Sequence, residues 1–196
     1  MDTFKDIPVF RFETLEDWKA WLGEHSRTCK AVWIMLAKKG TAGKSITYED
    51  ARDYAIAYGW IDGQVNRWDD EYYITRFTPR SAKSNWSKIN CAVAELLIER
   101  GEMTEAGLEQ VEAAKKDGRW ERAYHSSSAI AVPDDFRAAL ESSSAANELF
   151  SRLNSANRYA FLYRIQTASN AALRSKRIEK YIEMLENGDV FHPPPG

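Results

Sequence analysis

Cysteine is scarce in this chain of 196 residues, which carries only Cys29 and Cys91. Two thiols so far apart in sequence build neither a disulfide framework nor a four-sulfur zinc site, and the expected setting is reducing and cytoplasmic. Histidine is equally sparse. His25, His125 and His192 stand alone with no Cys or acid at ligand spacing, so no metal and no cofactor is expected. Neither sign of charge is in excess: 27 Lys and Arg against 29 Asp and Glu leave a formal charge of −2. That near-balance excludes a histone-like protein that coats DNA. No apolar run reaches the roughly 18–20 residues of a membrane span, so no membrane insertion is expected. The opening Met1-Asp2-Thr3-Phe4-Lys5-Asp6 has no basic flank leading into an apolar block and does not read as a secretory signal. The phosphate loop, the dinucleotide fingerprint and Gly-x-Ser-x-Gly are all missing, so no catalytic set is read from motifs.

What is present is a core. Hydrophobic residues make up 44% and aromatics 12% of the chain, enough to exclude disorder. Val9–Glu13 alternates as a short strand, and Ala31–Ala37 is an apolar run of strand length. Trp60–Arg67 and Tyr72–Thr78 flank the polar connection Trp68-Asp69-Asp70-Glu71 as a hairpin. Thr14 with Asp17, and Thr47 with Asp50, mark helix starts, because a hydroxyl can accept from an unpaired backbone N–H of the first turn. Gly59 is placed for a left-handed helix end. From Ser84 onward the pattern is helical. Asn85–Arg100 sets Trp86, Ile89, Val93, Leu96 and Leu97 on one face, and further helices follow to Asn187. All seven tryptophans fall in the first 120 residues, and a serine run follows at Ser126–Ser128. The expected architecture is α+β: a small, largely antiparallel sheet with packed helices over residues 1–125, a helical C-terminal region over 126–188 and a flexible tail over 189–196.

Several segments carry a family likeness. They are Tyr58-Gly59-Trp60-Ile61-Asp62-Gly63-Gln64, Thr78-Pro79-Arg80-Ser81-Ala82-Lys83-Ser84-Asn85-Trp86-Ser87-Lys88-Ile89-Asn90, Ala114–Trp120 with Tyr124, Val132-Pro133-Asp134-Asp135, and Arg174-Ser175-Lys176-Arg177-Ile178. Together, from about Phe10 to Gly188, they resemble the YdeI/OmpD-associated family, also called bacteriocin-protection proteins. The resemblance implies a role in resistance to bacteriocins or cationic antimicrobial peptides and a link to an outer-membrane porin. It brings no catalytic residues. The chain departs from the family at Thr167–Arg174, where an Ala-Lys before a Thr-Arg pair is usual.

Between Tyr72 and Ala94 there is no acid, while Arg76, Arg80, Lys83 and Lys88 flank the expected helix start. Unpaired amides at a helix start suit an anion, and an arginine adds a two-pronged bond. A small anionic ligand is therefore expected at Arg76, Arg80, Lys83, Ser84, Asn85, Trp86 and Ser87. The plainer reading makes Ser84 or Asn85 a cap, Trp86 a core residue and the bases a solvated rim. Asp62, beside Gly63 in a strand, offers an acid or base for an alternative reading in which the same basic pocket belongs to an enzyme; a structural ion pair is the simpler role. A second acid-free stretch holds Arg152, Arg158, Arg164, Arg174, Lys176 and Arg177, which would suit a nucleic acid if it formed a groove with the first. The leading reading is non-catalytic binding of an anion.

Overall fold

The computed structural model describes residues 2–193. The chain divides into two compact units. The first comprises the residues up to Ser84 together with Asn90–Asp117; the second comprises Asn85–Ile89 and the chain from Gly118 onward.

The first unit is built on a five-stranded sheet of β1 (Thr3–Phe4), β2 (Ile7–Phe10), β3 (Val32–Ala37), β4 (Trp60–Arg67) and β5 (Tyr72–Pro79), in the order β1-β2-β3-β5-β4. Only β2 and β3 run parallel; the other pairings are antiparallel. A parallel pair needs a crossover, and α1 (Leu15–His25) supplies it. Thr14 caps α1 by accepting from Asp17 N at 3.2 Å, and Thr47 caps α2 (Tyr48–Ala57) by accepting from Asp50 N at 3.1 Å. Gly59 follows α2 with φ +75°, as its place in the sequence predicts.

Strand β3 is apolar throughout because it is covered on both sides. Val32, Ile34 and Leu36 join Trp18, Leu22, Ala51, Ala55, Trp60 and Phe77 on the face carrying α1 and α2. Trp33 and Met35 join Val9, Tyr72 and Ile74 on the other face, with Phe4 and Trp68 packed against them. The tight β1–β2 hairpin, absent from the sequence reading, turns through Lys5 and Asp6, both with positive φ.

The helix expected from Asn85 begins later: α3 spans Lys88–Glu99. Its buried face matches the expected one within the helix only at Leu97. It buries Asn90, Cys91, Ala94 and Leu97, while Ile89 and Leu96 are exposed at 47% and 43%. Apolar residues occur all round this helix, so periodicity alone could not choose the face. Helix α4 (Glu105–Lys116) starts at its cap Thr104, whose hydroxyl also donates to Ala57 O at 2.7 Å, tying α4 to the end of α2.

The second unit holds α5 (Asp134–Glu141), α6 (Ser144–Arg152), α7 (Ser155–Gln166) and α8 (Ala171–Glu186). Phe136, Leu140, Phe150, Phe161, Ile165, Ile178, Tyr181 and Leu185 make its core. Ser87 forms a parallel bridge with Tyr124, and Tyr124 N donates to Trp86 O at 3.0 Å. That pairing attaches the short segment 85–89 to this unit. Phe191 stacks edge-on against Phe161 and Tyr181, at 4.7 and 5.5 Å. His192 exchanges two 2.9 Å hydrogen bonds with the Asn157 side chain. Of the tail expected over 189–196, residues 194–196 lie outside the described residues. Among the described residues no helix is long and apolar enough to cross a membrane.

Candidate functional site

Side chains on β5 alternate between the two sheet faces. Tyr72 and Ile74 lie with Trp33 on one face; Tyr73 and Phe77 lie with the α1/α2 core on the other. Arg76 therefore shares the Trp33 face, and its register partner across β3 is Trp33 itself. On the other flank, β4 pairs Asp62 with Phe77 and Val65 with Thr75, and the irregularity between them leaves Gly63 and Gln64 opposite Arg76. A bulge that puts a glycine there leaves no side chain at 63 to crowd the guanidinium. Arg76 is half-buried. Its Nε is shielded from solvent and meets no hydrogen-bond acceptor, and no described carboxylate pairs with the guanidinium. Buried donors are almost always satisfied, so the Arg76 Nε–H keeps a capacity for an acceptor that the described residues do not supply.

The other residues expected at this site do different work. Arg80 is buried, 6% exposed. Its backbone N–H donates to Gly59 O at 2.9 Å and its Nε to Trp60 O at 3.2 Å, which fastens the end of β5 to the start of β4. Lys83 is exposed, and its amide donates to Ser81 Oγ at 3.3 Å. Ser84 N donates to Ser81 O at 2.9 Å, and Ser84 Oγ accepts from Ser81 N at 3.0 Å. Because α3 starts only at Lys88, Ser84 closes a turn with Ser81 and Ser87 forms a bridge, and this segment is not a helix N-terminus. Asn85, Trp86 and Ser87 belong to the second unit. There the Asn85 amide donates to Tyr163 OH at 3.0 Å, and Trp86 packs against Trp120 at 4.9 Å.

Asp62 points to the α1/α2 face, as its partner Phe77 does. Its carboxylate accepts from Tyr48 OH at 2.8 Å. Burial, and then the charge of Asp62, push the Tyr48 phenol far above its ordinary value. The thickness of the sheet separates Asp62 from Arg76, so the reading in which Asp62 serves as acid or base in an Arg76 pocket is set aside.

The second basic stretch does not form a row of open cations either. Arg158, Arg164, Arg174 and Arg177 donate to the backbone carbonyls of Phe150, Ala160, Ile165 and Arg164 respectively. Arg152 pairs with Glu148, and Arg174 also grips Asp135. Arg158, Arg174 and Arg177 reach carbonyls in the last turns of α6 and α7, where intrahelical partners run out, and Arg164 bonds back one turn within α7. Among the described residues no cluster of three or more His, Cys, Asp or Glu could hold a metal ion. Trp33 and Gly63 are the neighbours of Arg76 that sequence reasoning missed; only the strand register discloses them.

The architecture is thus an α+β unit and a helical unit. Residues 10–110 match a family model described as a domain of unknown function, DUF8412, and residues 129–188 match one described as "Bacteriocin-protection, YdeI or OmpD-Associated". The chain belongs to the DUF8412 family through its first part, and its helical part is a YdeI/OmpD-associated domain. Val132–Asp135 and Arg174–Ile178 fall within the YdeI/OmpD match; Tyr58–Gln64 and Thr78–Asn90 fall within the other. No curated protein and no solved structure matches the chain.

Proposed function

We propose that this protein is a non-catalytic binding protein that takes up a small anion at Arg76 and acts in resistance to bacteriocins or other antimicrobial peptides from within the cytoplasm. The observation that carries the binding reading is the half-buried Arg76 guanidinium, with a shielded Nε that has no acceptor, set between Trp33 and the Gly63 bulge. A phosphate, sulfate or carboxylate oxygen supplies the missing acceptor and neutralises the charge; a hydrogen bond to a charged group contributes about 1.5–3 kcal/mol. The bacteriocin reading is supported by the bacteriocin-protection family matched over residues 129–188. The cytoplasmic placement is supported by two cysteines, Cys29 and Cys91, that form no disulfide.

The test is a thermal-shift titration with inorganic phosphate and with sulfate. The wild type is expected to gain stability with either anion, and Arg76→Gln to lose that gain, while Lys83→Gln keeps it. Equal shifts in wild type and Arg76→Gln would refute the site. A strain carrying Arg76→Gln, at unchanged protein level, is expected to lose peptide resistance.

A further inference from the structure

Where β3 ends, the chain leaves the sheet and returns through Ser45–Thr47 to begin α2. It borders a cavity of about 690 Å³, open to solvent, whose walls include Lys38, Lys39, Tyr48, Glu49 and Tyr73. Tyr48 and Tyr73 both pack against the α1/α2 core, so the cavity lies on the sheet face away from Arg76 and owes nothing to the anion reading. Its size is that of a small-molecule site.

The polar groups of the lining fall into two sets. One set is already committed to the fold. Ser45 Oγ accepts from Ala37 N at 2.9 Å and donates to Ile46 O at 2.8 Å. Thr47 Oγ1 accepts from Asp50 N and donates to the Asp50 carboxylate at 2.7 Å. Lys38 Nζ is anchored on the carbonyls of Asp69 and Asp70, at 2.5 and 3.3 Å, and keeps its charge at the wall. Tyr48 is pinned by Asp62, which fixes the ring.

The other set is unused. The side chains of Lys39, Glu49 and Tyr73 make no hydrogen bond or ion pair with any described residue. Lys39 and Glu49 carry opposite charges on one cavity yet do not pair. Burial first, and the charge of Glu49 after it, push both phenols up, so the carboxylate lies on the same side of the lining as the rings. The lining therefore carries cations just past the end of β3, two tyrosine rings, and an anion in the first turn of α2. A bare anion would meet Glu49, and a bare cation would meet two lysines. A molecule carrying both charges, separated by a flat apolar body, satisfies every unused group at once.

We propose that this cavity binds an aromatic zwitterion, an amino acid or a close equivalent, with its carboxylate toward Lys39, its ammonium toward Glu49 and its ring against Tyr48 and Tyr73. The ring gains aromatic contact on two sides, and the ammonium lies where tyrosine faces favour cations.

Calorimetric titration with three compounds tests it: L-phenylalanine, phenylacetate, which lacks the amine, and phenethylamine, which lacks the carboxylate. L-phenylalanine is expected to bind about tenfold or more tighter than either of the others, a factor worth about 1.4 kcal/mol. Lys39→Gln and Glu49→Gln are each expected to weaken it by about the same factor. Glu49→Gln leaves phenylacetate bound equally well or better. Both substituted side chains are exposed, so the fold is not at stake. Equal binding of phenylacetate and L-phenylalanine, indifference to Glu49→Gln, or no heat from any of the three compounds would overturn the proposal.

Discussion

Arg174 holds Asp135 by two parallel hydrogen bonds, Nε to Oδ2 at 2.6 Å and Nη2 to Oδ1 at 2.8 Å. The pair joins the start of α5 to the first turns of α8, and a third bond from Arg174 Nη1 reaches Ile165 O at the end of α7, 3.1 Å away. Two of the segments that carry the family likeness, Val132–Asp135 and Arg174–Ile178, are thereby clamped to each other. One arginine thus ties three helices.

This clamp gives a prediction in acid. Hydrogen bonding from Arg174 holds the Asp135 carboxyl below its ordinary value of 3.8. A depressed carboxyl adds stability above the unfolded value, and that contribution is lost as pH falls through the folded one. Asp135→Asn is expected to lower stability by about 1 kcal/mol at neutral pH, since the pair is part-exposed and screened. The difference from wild type is expected to vanish at strongly acid pH, as read by denaturant melts across that range.

Tyr48 gives the opposite dependence. Its phenol is held above the ordinary value of 10.0 by burial and by Asp62. The neutral form is the one the fold prefers, so the contribution is complete below about pH 10 and declines as pH rises above it. Tyr48→Phe is expected to flatten the alkaline loss of stability. A variant that melts with the same alkaline slope as wild type would show that the Tyr48–Asp62 bond is not its source.

Gly107 tests the packing of α4 on α2. A Cβ there would run into the Ala57 carbonyl and the Met103 sulfur, and would approach Ala57 C to 2.9 Å. Alanine ordinarily favours a helix over glycine by about 0.5–1 kcal/mol. Here the overlap with backbone reverses the sign, and Gly107→Ala is expected to destabilise by about 1–3 kcal/mol in urea unfolding. A stabilised variant would mean that α4 can slide away without cost.

Arg76 is expected to show a trade between binding and stability. A shielded donor without an acceptor is costly, by about 1–3 kcal/mol when fully buried, so removing it relieves the ligand-free fold. Arg76→Met is expected to melt at the same temperature or higher than wild type in anion-free buffer, and lower than wild type in excess phosphate. A variant that melts lower in both buffers would show that Arg76 is chiefly a packing residue.

Much of the fold was legible because its signals are local. Trp60–Arg67 and the start of β5 at Tyr72 announce themselves by alternation around a polar turn, and Thr14, Thr47 and Thr104 announce their helices by a hydroxyl placed before the first turn. The α3 start was misplaced because Ser84–Ser87 reads as a cap, whereas Ser87 is drawn into a bridge with the distant Tyr124. The candidate site was legible only as a concentration of positive charge. Arg76 and Arg80 look alike in sequence. What separates them is that Arg80 finds the Trp60 carbonyl while the Arg76 guanidinium is left without an acceptor, and both facts depend on which strand lies alongside.

The register of β5 has one further consequence. Arg76 and Phe77 are neighbours that point to opposite sides, one facing Trp33 and the other buried among Trp18 and Ile34. Sliding the strand by a single residue would carry the charge into the driest part of the protein and expose a phenyl ring in exchange. The arginine proposed to receive an anion thereby also penalises a misaligned strand.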